Sequence, residues 1–255
     1  MSERINSTPE TKQEKSGSTP SRLAKHALDQ LVSTEVFRED AVEKLFHDGT
    51  LLVRGLDSPR LYKDGNAIGL DYGTIDYEMN DIQEEPLGLS YASSTLLLPE
   101  KRIPTYKSFG FMFDARKSAL HHLFPQDSAS NGQEDDFRAA ESSITSLEQL
   151  ASVIKEESAP KMNEVVGSFK ADSLVGLFAV EAPRPTAKID AWFMQQHLKH
   201  ASNVELPLYI YSVDKGAIKL VAYSTDEIRE LINQGFRSGS SQYRAYSRAL
   251  EFMSV

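Results

Sequence analysis

Three stretches of this sequence combine residue types that could act together on an anionic ligand. They are Arg54 at the end of the apolar run Leu51-Leu-Val-Arg-Gly55, the hydroxyl run Ser93-Ser94-Thr95, and Glu164 ahead of Val165-Val166. An arginine that closes an apolar run needs a partner once desolvated, because it does not give up its charge. Its planar fork fits the oxygens of a phosphate or a carboxylate, so Arg54 is either half of a structural ion pair or an anion ligand. Three adjacent small hydroxyls add little to packing but can orient neighbouring side chains through hydrogen bonds. Threonine is also an ordinary strand former, so the run decides nothing by itself. Glu164 beside apolar neighbours would have its ionisation set by burial; as an isolated glutamate it equally fits an exposed charge at a strand edge.

The histidines carry a weaker signal. His121 and His122 read as the end of a helix in ALHHLF. Adjacent residues point to different sides of a helix, which favours a surface or helix-terminus role over a shared metal. His197 and His200, three residues apart, share one helical face with Ile189, Trp192 and Phe193. A metal there would need a third ligand and supporting partners that the sequence does not locate. Packing at the core edge and interaction with the helix C-terminus explain the pair without one, and no metal is expected.

Elements that could position these residues follow from periodicity and capping. Leu23, Ala27, Leu28 and Leu31 recur at helical spacing, and a short helix fits Asp40 to His47, stopped by Gly49. Thr50 to Gly55 reads as a strand, and 57–88, rich in Gly, Asp, Asn and Pro, as a long irregular connection. Leu87 to Leu98 and Ser108 to Asp114 are strand candidates, the second alternating aromatics with small residues. Residues 126–143 hold five acids and one base among polar residues and read as an exposed loop. Ser146 with Gln149 makes a capping box ahead of Leu147, Leu150, Val153 and Ile154, with Pro160 closing the segment. Strands then span Asn163 to Phe169 and Leu174 to Val180, and a helix runs from Ala187 to Ala201, capped by Thr186. A hairpin joins Leu208–Val213 to Ala217–Tyr223 around Asp214-Lys-Gly216. A last clear helix starts at Ser224, boxed by Glu227, and stops at Gly235; a short terminal helix fits within Arg237 to Val255. Strands and helices do not alternate regularly, so the expected class is α+β rather than a doubly wound parallel sheet.

Composition bounds the function. The 255 residues suit a chain that buries a sizeable core without a staple, and residues 21–255 read as one domain. Residues 1–20, rich in Ser, Thr, Pro, Lys and Glu, read as a disordered leader or an uncleaved export address. With no cysteine there is no disulfide framework, thiol nucleophile or iron–sulfur cluster. The net charge of −9 argues against general nucleic-acid binding, which needs a dense basic surface. No apolar run approaches the roughly 18 residues of a membrane span. The glycine cradles of nucleotide-binding loops are absent, as are H-E-x-x-H and G-x-S-x-G.

The order of the three stretches resembles the Arg–Ser–Glu layout of mono-ADP-ribosyltransferase toxins and effectors. LLVRGL is similar to the family's arginine strand, SYASST to its Ser-Thr-Ser strand, and SFGFMF to the apolar strand that follows. KMNEVV supplies the second glutamate of the family's Glu-x-Glu as Glu164, with Met162 where the first would stand. The resemblance covers residues 50–180, and 186–255 read as a C-terminal extension of helices and a hairpin. It implies a split sheet with flanking helices and NAD as substrate. It also implies catalytic roles for Glu164, Arg54 and Ser94, and NAD contacts through Arg54, Ser93, Thr95, Tyr91 and Phe109. Tyr91, Phe109 or Phe111 would stack on the nicotinamide. The protein would then be a bacterial effector, secreted into the host cytosol with the help of a secretion chaperone, that transfers ADP-ribose to a host protein. The family's first glutamate activates an arginine acceptor, so Met162 leaves open another acceptor, a base supplied from elsewhere, or a chain that does not catalyse. The alternative is a non-catalytic module that binds a host protein through aromatics such as those of QYRAYSRALEF.

Overall fold

Residues 39–64, 67–71, 92–126, 144–169, 171–202 and 204–253 are described by a computed structural model. The leader, the helix expected around Leu23 to Leu31 and most of the acidic loop lie outside them. The first described helix, α1 (Glu39–His47), turns Val42, Leu45 and Phe46 inward and delivers the chain to β1 (Leu51–Gly55). The hairpin of β2 (Arg60–Asp64) and β3 (Ala67–Asp71) follows, within the segment expected to be an irregular connection. Its Gly- and Asp-rich composition masks two short strands that, among the described residues, form a sheet of their own.

The remaining strands are β4 (Ala92–Leu97), β5 (Phe109–Asp114), β6 (Ala119–Phe124), β7 (Glu164–Ser168), β8 (Leu174–Val180), β9 (Leu208–Ser212) and β10 (Ala217–Val221). With β1 they form one eight-stranded sheet in the order β10-β9-β8-β5-β1-β4-β7-β6. Every pair is antiparallel except β8–β9. A parallel pair needs a crossover, and the crossover here is α3 (Thr186–Ser202). The class is therefore mixed α and β, a mixed sheet with flanking helices, and the segment after residue 186 extends that sheet through β9 and β10.

β5 is the spine. All six of its residues are buried between β1 and β8, and Phe111 and Phe113 meet edge to face with centroids 6.2 Å apart. Each fully buried side chain of this size contributes roughly 1.5–3 kcal/mol relative to exposure. Ile189, Trp192, Phe193 and Met194 of α3 add to the same core. α2 (Leu147–Glu156) is capped by Ser146, whose hydroxyl accepts from the Gln149 N–H. α4 (Thr225–Gly235) carries the full Ser224–Glu227 capping box, and α5 (Ser241–Met253) packs on α4 and β3. The stretch ALHHLF is the edge strand β6, not a helix end: it pairs with β7, and alternation exposes His121 while half-burying His122. No helix among the described residues is long and apolar enough to cross a membrane.

Candidate functional site

A change of partner along β4 creates the site. Its second half pairs with β1, as Leu97↔Leu51, Leu96↔Leu52 and Thr95↔Val53. Its first half pairs with β7, as Ala92↔Gly167, Ser93↔Val166 and Ser94↔Val165. The β1–β4 pairs end at Val53, whereas β1 stays on β5 through Arg54↔Phe111 and Gly55↔Gly110. A cleft of about 440 Å³ opens between the end of β1 and the start of β7. It is lined by residues 53–55, Asp57, 93–95, 105–107 and 162–164.

Asn163 holds the far side of this junction. Its amide takes the ladder position opposite Leu96, accepting from the Leu96 N–H at 2.8 Å and donating to the Leu96 carbonyl at 3.0 Å. A side chain thus satisfies backbone groups that burial would otherwise leave unmade, at a position 1% exposed. The next residue, Glu164, is 8% exposed and begins β7 at the cleft. The Ser93 hydroxyl donates to Glu164 Oε1. Extending the Ser94↔Val165 register by one residue sets Glu164 opposite Thr95. Strand alternation then gives Ser93, Thr95 and Glu164 one face of the sheet.

Arg54 is half-buried and its backbone is locked from β5. A Cβ at Gly110 would lie 1.9 Å from the Arg54 carbonyl oxygen, and one at Gly55 would lie 2.5 Å from the Lys107 Cβ. Only glycines permit these approaches. Lys107 belongs to the arch between β4 and β5. The Tyr211 hydroxyl ties this arch down, accepting from the Ile103 N–H at 3.2 Å and donating to the Ile103 carbonyl at 2.8 Å. Burial raises the Tyr211 pKa above its ordinary value, so the hydroxyl keeps its proton. At the tip, Thr105 donates to the Lys107 carbonyl at 2.7 Å, and Lys107 Nζ lies 2.6 Å from Asp57 Oδ1 and 4.7 Å from the centroid of the Tyr106 ring.

Arg54, Ser93, Ser94, Thr95 and Glu164 all line one cleft, but the Thr95↔Val53 register sends the Arg54 side chain to the face opposite Glu164, the face of Ser94. Ser93 reaches Glu164; the Ser94 hydroxyl is instead donated to the Val165 carbonyl at 2.9 Å, a tie between β4 and β7. Phe109 does not join them. It is 1% exposed and paired with Ala179 on the β8 side, so it cannot stack on a ligand in the cleft, and Phe111 is equally buried. Tyr91 lies outside the described residues. The aromatic at the cleft is Tyr106, 71% exposed. Sequence reasoning also missed Asp57, Thr105, Lys107 and Asn163. A cation flanked by a polar aromatic, just before an apolar strand, was the available signal for the arch.

The histidines stay apart from this cleft. His121 Nε2 lies 3.3 Å from the Ser168 hydroxyl, and His122 stacks on Phe124. His197 is half-buried and His200 exposed on α3. No three His, Asp or Glu side chains gather among the described residues in a way that could hold a metal. No family profile matches the chain, and no curated protein matches it.

Proposed function

We propose that the cleft binds NAD and that the protein is a mono-ADP-ribosyltransferase acting on a protein acceptor, with the split sheet of that family. The observation that carries the reading is the hydrogen bond from Ser93 to Glu164 in the cleft that Arg54 also lines. An anion ligand, a hydroxyl-oriented carboxylate and an exposed aromatic are the groups that a dinucleotide with a cationic leaving ring calls for. A cleft of about 440 Å³ is of ordinary size for a small-molecule site, which runs roughly 300–1,000 Å³.

The chemistry assigned to each group is specific. Arg54 forks onto diphosphate oxygens and fixes the dinucleotide along β1. The bond between nicotinamide and ribose breaks with its electron pair leaving on the ring nitrogen, so positive charge develops at the ribose, as in glycoside cleavage. The Glu164 carboxylate stabilises that charge, and Ser93, holding Oε1, sets its orientation before reaction begins. The acceptor nucleophile bonds to the ribose carbon and releases its proton to solvent. Met162 lines the cleft where the resembled family carries the first glutamate of its pair, so an arginine acceptor lacks its activating carboxylate.

The test is release of nicotinamide from NAD together with transfer of label from [adenylate-³²P]NAD into protein of a host-cell lysate. A wild-type protein that neither consumes NAD nor transfers label removes the reading. The adaptor alternative drew on the aromatics of α5, and their burial speaks against it. Tyr246 is 4% exposed, and Tyr243 is half-buried with its hydroxyl donated to Asn233. Phe252 is the exposed one, at 74%.

A further inference from the structure

We infer that Lys107 is a second diphosphate-holding cation of this cleft and that Asp57 keeps it in place until the ligand arrives. The inference rests on the proposed reading of the cleft and assigns a residue to which the resemblance gives no role. Lys107 starts from the wall beside Arg54: its Cβ and backbone nitrogen would lie 2.5 and 2.9 Å from a Cβ at Gly55, the very next residue. Arg54 and Gly55 alternate along β1, so Lys107 stands at the same strand end on the face opposite the Arg54 side chain, and both residues line the cleft that wraps this end. A diphosphate bridge presents two neighbouring ionised groups. One guanidinium fork neutralises one of them, and a flexible ammonium meets the other as a point charge.

Geometry fixes where that ammonium waits. Lys107 Nζ lies 2.6 Å from Asp57 Oδ1 and 4.7 Å over the Tyr106 ring, while Thr105 clamps the Lys107 carbonyl. The Asp57 side chain is 64% exposed and that of Lys107 34%. An ion pair this open contributes little net free energy, so phosphate oxygens can take over the ammonium at small cost. Asp57 is thus a competitor for the same cation, and removing its charge favours the ligand. Across the cleft the charges then divide by task. Arg54 and Lys107 meet the diphosphate, and Glu164, held by Ser93, faces the ribose.

The experiment is isothermal titration of the full chain with ADP-ribose, and with adenosine as the phosphate-free probe, for wild type, Arg54→Ala, Lys107→Gln, Lys107→Arg and Asp57→Asn. Lys107→Gln is expected to weaken ADP-ribose about 10-fold, Lys107→Arg to restore it within about 3-fold, and Asp57→Asn to tighten it about 3-fold, in line with exchange of one charge-assisted contact. Adenosine affinity should be the same in all five proteins. If Lys107→Gln binds ADP-ribose as wild type does while Arg54→Ala does not, Lys107 has no such role and the NAD reading stands. If Lys107→Gln weakens adenosine as much as ADP-ribose, the lysine only supports the arch and the inference falls. If wild type binds neither ADP-ribose nor NAD, both the inference and the reading beneath it are overturned.

Discussion

Among the described residues, two buried carboxylates accept hydrogen bonds from hydroxyls, and they differ in what lies around them. Glu164 opens β7 at the rim of a cleft, with the exposed Ser93 as donor. Asp190 sits on α3 at 1% exposure, accepting from Ser58 at Oδ2 over 2.7 Å and from Tyr246 at Oδ1. Around it Tyr246 packs on Phe193 and stacks on Phe236, with centroids 5.6 and 4.8 Å away. Desolvation pushes the Asp190 pKa up to about 6, although both hydroxyl donors pull it down. Asp190 ties α5 and the segment after β1 to α3, whereas the Ser93 bond ties Glu164 to its neighbouring strand β4. Asp190 shows that burial perturbs an acid that ties elements together, and on the proposed reading it is access from a cleft that sets Glu164 apart.

The largest effect that would break this comparison is on turnover. Glu164→Gln keeps size and an acceptor for Ser93 but loses the charge that, on the proposed reading, faces the reacting ribose. Nicotinamide release should fall by about 10²–10³, the usual effect of removing one such electrostatic group. Its melting temperature should stay within about 2 °C of wild type. Asp190→Asn should retain most of the activity. A Glu164→Gln protein that turns over normally, or an Asp190→Asn protein that is equally dead, would erase the distinction.

The next effect is on stability and its sign follows from Asp190. The folded state holds this proton up to about pH 6, whereas an unfolded aspartate releases it near its ordinary value of 3.8. The stabilisation from proton uptake is complete below the lower value and lost as pH rises through the higher one. At neutral pH the buried charge thus costs up to about 3 kcal/mol relative to the acid form. Asn at 190 can accept from Tyr246 and donate to Ser58, with no charge to desolvate. The stability difference between Asp190→Asn and wild type, read by urea unfolding, should favour the variant more at pH 7.5 than at pH 4.5. A difference independent of pH would mean that Asp190 does not titrate in this range.

Legibility followed locality. The Ser224–Glu227 box and the stop at Gly235 were readable because every group that defines α4 lies within a few residues. So was β8, a continuous apolar run from Leu174 to Val180 that follows the short helical turn Ala171–Ser173. ALHHLF misled because Ala, Leu and His tolerate a helix, and only pairing with β7 makes it a strand. At the site, Arg54, Ser93, Thr95 and Glu164 stood out by residue type and order. Lys107 and Asp57 did not, since their pairing spans 50 positions that only the β1–β5 register brings together. Ser93 and Ser94 could not be told apart in sequence, because their roles depend on which β7 residue lies across from each.

A smaller effect sharpens the structural side. Tyr246→Phe keeps the ring stack on Phe236 and deletes one donor to Asp190. With Asp190 ionised at pH 8, loss of a hydrogen bond to a charged group should cost about 1.5–3 kcal/mol. Since that donor also lowers the Asp190 pKa, its removal should move the pH dependence of stability upward. Urea unfolding across pH reads both at once, and a uniform loss at all pH values would make the hydroxyl's role one of packing alone.

The smallest effect tests whether Glu164 is oriented or merely present. Ser93→Ala removes the hydroxyl on Oε1 and leaves the carboxylate and the β4–β7 ladder in place. Orientation by one neutral donor is worth about 1 kcal/mol, so turnover should fall about 5- to 10-fold, in kcat rather than in KM for NAD. Ser94→Ala deletes a tie to the Val165 carbonyl instead, so it should lower the melting temperature and leave turnover per folded molecule nearly unchanged. The two serines are adjacent in sequence and equal in chemistry. If Ser94→Ala is the slower enzyme, the face assigned to Glu164 by the β4–β7 register is the wrong one. The hydroxyl that matters then lies on the other side of the sheet.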